Sequence, residues 1–325
     1  NALSDLEWVI VDELHELLAS ERGSQMSISL ERLQFNSEKE IHRIGLSATI
    51  GNINDASKFL VGNNRKCEII QDKSVRKYEV DVKFVDGGIH EVADKIVDYV
   101  KEMQINSPVL LFANSRGESE TLASVLKERT KMKIDLHHGS LSRQVREETE
   151  TILRDGKPGI VVCTSSLELG LDIGSVELVI HYGSPRQVSK FMQRIGRSRH
   201  NRDSSAQGLI ITNHADDEFE TNAIIQRIEE SSIEEQKIHN LSLDVLAHHL
   251  VGMTKQLGDV SVDTAFKIAK QAYPFRNLTI EEFSNVLMIL DSQSLISFDQ
   301  EQMCFWAKGR SFRYHFQNIS TIPDI

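Results

Sequence analysis

Between Val80 and Thr212 the chain repeats one pattern. Short apolar runs alternate with stretches of helix length. Strands are expected at Val80–Phe84, Val109–Phe112, Ile134–Leu136, Gly159–Cys163, Val176–His181 and Gly208–Thr212, with helices at His90–Met103 and Ser115–Thr130 among them. Several of these runs are apolar without interruption, as strands buried on both faces are. Strands and helices in this alternation imply a doubly wound parallel sheet. Asp86-Gly87-Gly88 reads as a turn or linker, and a boundary falls near Arg76.

Four strand ends of this region carry chemistry. Phe112-Ala113-Asn114-Ser115-Arg116 opens a helix, with Ser115 and Glu118 at capping-box spacing. His137-His138-Gly139-Ser140-Leu141-Ser142-Arg143 is a glycine turn into another helix, and Cys163 to Gly174 repeats the capping spacing at Ser165 and Glu168. The fourth is Gln193-Arg194-Ile195-Gly196-Arg197-Ser198-Arg199-His200. It lies in a segment, His181 to Arg202, with six Lys or Arg and no acidic residue, in a chain of formal charge −11. Arginines one turn apart can present two guanidinium forks to one polyphosphate. Taken alone, that stretch is more simply a solvated helix face, and each of the other loops an ordinary strand-to-helix connection. Four on one edge form a row of anion sites suited to a phosphodiester backbone.

Upstream, Trp8-Val9-Ile10-Val11 reads as a buried strand delivering Asp12-Glu13-Leu14-His15 at its carboxyl end, the Walker B arrangement. Asp12 can hold Mg²⁺ and Glu13 can orient or deprotonate an attacking water, with His15 placed to sense the nucleotide. An acidic helix N-terminus is the plainer alternative. About thirty residues on, Arg43 to Asn52 is a strand opening into Ser47-Ala48-Thr49, whose hydroxyls can hydrogen-bond His15 and couple the two loops.

Downstream, Ala215–Ser231 reads as a solvated connector helix, since eight acidic residues and one Arg lie between Asp216 and Glu235. Three amphipathic helices follow, near Leu243–Gln256, Val262–Tyr273 and Ile280–Asp291, then short strands at Leu295–Phe298 and Met303–Trp306. That is the plan of a winged helix, its hairpin either a wing on nucleic acid or a packing element. The tail Gly309–Phe316 mixes basic and aromatic residues, as a surface that stacks on bases does. Domains are placed at 1–76, 77–220 and 221–325.

With 325 residues, 40% of them hydrophobic and 26% charged, the composition is that of an ordinary globular chain of two or three domains. Three distant cysteines, Cys67, Cys163 and Cys304, suit neither a disulfide framework nor a zinc site, and a reducing cytosol fits them. His137 and His138 lack a third ligand at metal-binding spacing. No apolar run reaches membrane-spanning length. Net acidity argues against blanket binding to nucleic acid, but not against a local groove.

Together the motifs resemble those of superfamily 2 helicases. Asp12 to His15 matches motif II, Ser47-Ala48-Thr49 motif III, Phe112 to Arg116 motif IV, Thr164 to Gly174 motif V and Gln193 to His200 motif VI. Ser140 to Arg143, Thr164 to Gly170, Leu243 to His248, Ala272 to Phe275 and Asn318 to Asp324 are similar to the large helicase-related (Lhr) family. The resemblance implies two RecA-like parallel sheets, one partial and one complete, and a winged helix. It implies ATP and Mg²⁺ as cofactors, Mg²⁺ on Asp12. Gly170 and Asp172 would lie near the nucleotide, and Gln193, Arg194 and Arg197 would face it, with Arg197 as arginine finger. Asn114, Ser115, Arg116, Gly139, Ser140, Thr164 and Ser165 would touch the nucleic-acid backbone. A monomer moving 3′-to-5′ on single-stranded DNA, and unwinding DNA or DNA–RNA duplexes in repair, is expected. An RNA-remodelling motor and a non-hydrolysing binding module are the alternatives.

Two departures stand out. Arg199 occupies a position where that family usually has Gly, so it is either a second finger or a solvent-facing residue. No Gly-x-x-x-x-Gly-Lys-[Ser/Thr] occurs in the 325 residues, so a truncated chain, inactive alone, is expected.

Overall fold

The structure is a computed structural model describing all residues except 1, 2, 4, 49, 73–77, 169–175, 199–205, 231 and 319–325. Thr49, Gly170, Asp172 and Arg199, singled out above, lie outside the described residues. The chain opens with β1 (Trp8–Val11), α1 (Leu14–Leu18), α2 (Glu21–Asn36), β2 (His42–Gly45) and α3 (Ile53–Val61). Next come β3 (Tyr78–Phe84), α4 (Ile89–Glu102), β4 (Pro108–Ala113), α5 (Arg116–Arg129), β5 (Ile134–His137), α6 (Arg143–Arg154), β6 (Gly159–Cys163), β7 (Leu178–Tyr182), α7 (Val188–Ile195), β8 (Ala206–Thr212) and α8 (Ala215–Glu229). The last part holds α9 (Leu243–Leu257), β9 (Val260–Ser261), α10 (Val262–Gln271), α11 (Ile280–Ser292), β10 (Ile296–Asp299), β11 (Cys304–Ala307) and α12 (Ser311–Asn318). Two compact units result: residues 1–71 with 235–325, and residues 72–234.

Residues 72–234 form a six-stranded, all-parallel sheet in the order β3-β8-β7-β4-β6-β5. Alternation is present but hidden, because both faces are apolar. Val109 and Leu111, Ile160 and Val162, and Leu178 and Ile180 join the α4–α5 side, while Leu110, Phe112, Val161, Cys163 and Val179 face the other. All six residues of β4 are buried, with β7 on one flank and β6 on the other. The acidic composition of α8 describes only one of its faces: Ile224 is buried, and Ile225 and Ile228 pack with it against Val188, Phe191 and Ile195 of α7.

In the other unit, β1 and β2 pair in parallel, and the C-terminal helices build a core with the three-stranded sheet β10-β11-β9. Ile28 of α2 inserts into that same core, so the N-terminal segment and the winged helix fold as one body. Polar bonds cross the join: Ser24 Oγ to the His239 carbonyl at 3.0 Å and Tyr273 Oη to Asp55 Oδ1 at 2.7 Å. The basic-aromatic tail forms α12 on α9. Phe312 and Phe316 remain exposed and lie 4.5 Å apart between ring centroids.

Glu31 of α2 organises this unit. Its buried carboxylate accepts from Arg43 Nη1 at 2.7 Å and, bidentately, from Arg65 Nη1 and Nη2 at 2.7 and 2.8 Å. Arg43, in β2, also donates to the carbonyls of Leu60 and Leu30. Removing one partner of such a network strands a buried charge, which typically costs ~3–5 kcal/mol. Glu31→Ala is therefore expected to lose stability of about that size in chemical denaturation, whereas the surface exchange Lys39→Ala loses under about 1 kcal/mol.

A second polar cluster joins α2, α9 and α12. Arg32 Nη1 lies 3.1 Å from His249 Nδ1, and since a guanidinium only donates, His249 accepts and is neutral there. His248 stacks on His315 at 4.5 Å, and its Nε2 meets the His315 carbonyl at 3.1 Å. Burial, followed by the charge of Arg32, holds the pKa of His249 well below 6.5; burial also lowers His248 and His315. The unfolded chain therefore binds protons first as pH falls. The stability these groups contribute is complete above about pH 6.5 and is lost below it. Denaturation midpoints are expected to fall from pH 7 to pH 5, and His249→Gln to flatten that slope.

Candidate nucleotide and nucleic-acid sites

At the carboxyl end of β1, Asp12 is exposed and Glu13 half-buried. Asp12 Oδ1 accepts the Glu13 amide at 2.9 Å. Glu13 adopts a left-handed backbone, φ 49° and ψ 44°, immediately before α1. That conformation is costly for a residue with a Cβ and concentrates at functional turns. His15, buried on α1, places Nδ1 3.0 Å from Ser47 Oγ and 3.6 Å from Glu13 Oε2, and Nε2 3.3 Å from Glu16 Oε1. The β1 and β2 loops are thus tied through one imidazole, and the backbone supports this with the Leu14 amide donating to the Leu46 carbonyl at 2.9 Å. Ala48 is exposed beside Ser47. The carboxylates can hold a hydrated divalent cation, since both lie at an accessible strand end and, among the described residues, neither forms an ion pair with Lys or Arg.

In the sheet unit, Arg194 of α7 is 4% exposed. Its Nε donates to Glu168 Oε1 at 2.7 Å, its Nη1 reaches His181 Nδ1 at 3.4 Å, and its guanidinium lies over Phe112, 5.0 Å from the ring centroid. Burial and the Arg194 charge keep the pKa of His181 far down, so its ring is neutral and, among the described residues, Glu168 balances the arginine. Two expectations change here. Glu168 does not cap the turn at Ser165–Leu167; its carboxylate is held by Arg194 instead. Arg194 does not present its fork outward, because a buried cation needs a buried anion and Glu168 is within reach. Arg197 is half-buried and donates from Nη2 to the Glu168 carbonyl at 2.5 Å, so one residue of motif V holds both arginines. Gln193, on the same helix, is half-buried.

The order β4-β6-β5 brings three loaded strand ends side by side. Asn114, Ser115 and Arg116 follow β4, Thr164 and Ser165 follow β6, and Gly139 and Ser140 follow β5. All are exposed except Thr164, which is half-buried. His137 ties two of the ends together through Ser166 Oγ, 2.8 Å from its Nδ1, and Asn114 Nδ2 donates to the Ser184 carbonyl at 2.9 Å. The helix starts differ from a uniform row of anion sites. Ser115 caps α5 as its spacing implies, but Glu118 Oε2 accepts the Ser115 amide at 2.9 Å, putting a carboxylate at that N-terminus. At α7, Glu234 accepts from the Val188 and Ser189 amides at 2.8 and 3.3 Å. By contrast α6 has no acidic residue in its first turn and only a long cap, Val145 N to Ser142 Oγ at 3.4 Å. Of these helix starts, that of α6 is the one with no acidic residue in its first turn or, among the described residues, on its amides. Glu168 and Glu234 were not legible as partners, since each works across 26 or more residues of sequence.

Three family models match in order: DEAD/DEAH box helicase at 1–56, helicase conserved C-terminal domain at 91–201, and the winged helix domain of large helicase-related protein at 226–323. An ATP-dependent helicase Lhr-Core of Methanocaldococcus jannaschii is 38% identical over 99% of this chain and 39% of its own length. The structure of Mycobacterium smegmatis helicase Lhr bound to ssDNA and AMP-PNP is similar at a TM-score of 0.84 and 31% identity, over 96% of this chain and 43% of that one. The DUF1998 helicase MrfA shares the fold, with a TM-score of 0.74 at 21% identity over 98% of this chain and 44% of that one. The chain thus spans about two fifths of the curated relatives it matches. RecA-like sheets, a winged helix and helicase motifs in this order, in a chain matched almost end to end by such relatives, mean that it belongs to the large helicase-related (Lhr) family of superfamily 2 helicases.

Proposed function

We propose that this chain is the part of an ATP-driven nucleic-acid motor that couples nucleotide state to strand grip, and that the whole protein moves 3′-to-5′ on single-stranded DNA and unwinds DNA or DNA–RNA duplexes in repair. The observation that carries the reading is the 0.84 TM-score likeness, over 96% of the chain, to a helicase bound to ssDNA and AMP-PNP. We assign residues 1–76 to the first RecA-like domain, 77–220 to the second, and 221–325 to the connector and winged helix, and expect a monomer in the cytoplasm. No described helix is long and apolar enough to cross a membrane.

In this reading Asp12 holds Mg²⁺ and Glu13 orients the attacking water. Bound Mg²⁺ supplies neutralisation of charge on the phosphates. The Glu13 carboxylate lies 3.6 Å from His15 Nδ1, next to the left-handed turn. Through its contact with Ser47, His15 reports nucleotide state between the two loops. Arg197 is the finger, and Gly170, Asp172 and Arg199 belong to the nucleotide side with Gln193. We assign Arg194 a positioning role: by clamping Glu168 it fixes the carbonyl that holds Arg197. Asn114, Ser115, Arg116, Gly139, Ser140, Thr164 and Ser165 grip the backbone of the strand.

In the full-length protein, Glu13→Gln is expected to lower strand-stimulated ATP turnover by ~10²–10⁴-fold, and Arg197→Ala by ~10³-fold or more, with oligonucleotide affinity little changed. Wild-type turnover in either variant would overturn the assignment. Arg194→Ala is expected to lower turnover together with the melting temperature, while Arg194→Lys recovers stability more than turnover, since one ammonium cannot reproduce the fork. The 325-residue chain, without a phosphate loop, is expected to bind single strands in a salt-sensitive way without turnover; measurable hydrolysis by it would refute that part. Comparing stimulation by DNA and by RNA separates this motor from an RNA-remodelling one.

A further inference from the structure

Winged helices of the helix-turn-helix kind usually read nucleic acid with the last helix before the wing. Here that helix is α11, and its charges are Glu281, Glu282 and Asp291, with no Lys or Arg. Its exposed face adds Ile280, Met288 and Ile289. Such a face repels phosphate. The cations lie on α10 and just after it.

Between α10 and the turn that follows α3 is an open cavity of about 510 Å³, lined by Asn63, Asn64, Phe266, Lys267, Lys270 and Arg276, with no carboxylate in its lining. It is a fixed feature of one folded unit. Asn63 N donates to the Gln271 carbonyl at 2.7 Å and Asn63 Nδ2 to the Lys270 carbonyl at 2.5 Å, which pins the turn to the helix. Arg276 lies over Tyr273, 4.1 Å from the ring centroid, with Nη1 donating to the Tyr273 carbonyl at 2.8 Å and to Asn240 Oδ1 at 2.5 Å. Phe266 packs edge-on to Phe283 at 5.4 Å and carries Lys270 5.5 Å above its ring. Lys267 pairs with Asp263, but both side chains are about 70% exposed, so that pair is screened and exchangeable. Lys270 has no carboxylate partner among the described residues.

We propose that this groove is a second contact for the phosphodiester backbone of a single strand, in which the winged helix uses α10 instead of α11. The inference rests on the motor reading, which brings a strand to the protein, but not on the strand-edge residues assigned there. Lys267 and Lys270, one turn apart, face successive phosphates, Arg276 is fixed over Tyr273 with Nη1 held by Asn240 and adds its charge to the rim, and Phe266 gives a sugar or base an aromatic contact. An acidic peptide would meet the same cations, but it has no use for the aromatic floor.

The test is binding of a labelled oligo-dT to the 325-residue chain by fluorescence anisotropy across a salt series. Lys267→Gln/Lys270→Gln is expected to weaken binding about tenfold and to flatten the slope of log K against log salt by about 1.4, the loss of two single-strand phosphate contacts. Arg116→Ala, in the other unit, serves as the control for the strand edge. Unchanged affinity and slope in the Lys pair, at unchanged melting temperature, overturns the groove; if Arg116→Ala still weakens binding, the motor reading stands without it. Inorganic tripolyphosphate is the second probe. Displacement of oligo-dT by tripolyphosphate in wild type but far less in the Lys pair supports a phosphate site that the strand occupies. Binding of tripolyphosphate at the Lys pair with no displacement of oligo-dT makes it a small-anion site and overturns the proposal.

Discussion

The Glu168–Arg194 pair is the interaction on which the sheet unit's chemistry depends. It is a buried carboxylate and a buried guanidinium, both under 10% exposed, inside an aromatic wall of Phe112, His181 and Phe191. Desolvation makes such a pair a weak contributor to stability compared with an apolar replacement. What it does supply is geometry. The two residues come from different loops, and the Glu168 carbonyl also receives Arg197, so the position of the candidate finger is set by an ion pair beneath it. With His181 held neutral by burial, the pair has one net balance and one arrangement.

The other unit repeats the device with different parts. Glu31 gathers Arg43 and Arg65, which lie 12 and 34 residues away, and so fixes β2, the end of α3 and α2 relative to each other. β2 leads directly into Ser47, and Ser47 meets His15. The loop that couples to the candidate catalytic carboxylates is therefore anchored on the far side by a buried charge. Gly62, at φ +85°, belongs to the same anchor: a Cβ there would come within 2.7 Å of the Gln271 carbonyl, so the turn onto α10 tolerates only a residue without one.

Much of this was legible in the sequence, and the division follows a physical rule. Strands β4 and β6 were readable because burial on both faces leaves almost only apolar residues to choose from, and β7 keeps that pattern up to the buried His181. The Ser115–Glu118 capping box was readable because its partners are three residues apart. Interactions over longer separations were not. Ser165 and Glu168 have the same spacing as that box, yet Glu168 turns to Arg194, since pairing a buried cation outweighs capping a short turn. Likewise the start of α7 has no local cap, and Glu234, 46 residues on, takes that role. Ile28 gives no sign in the sequence that its partners are winged-helix residues more than two hundred positions away.

Charge distribution follows from the same separation of local and distant effects. A chain of net charge −11 would be a poor polyanion binder if its charges were spread evenly. They are segregated instead. Carboxylates occupy the N-termini of α5 and α7 and the face of α11, each place where a helix would otherwise attract phosphate without discrimination. The first turn of α6 is left without them, while those near the ends of β5 and β6 are engaged, Glu150 and Glu120 with His137 and His138 and Glu168 with Arg194. Negative charge in this protein therefore narrows where an anion could settle: the N-termini of α5 and α7 and the face of α11 are already filled, and the first turn of α6 is not.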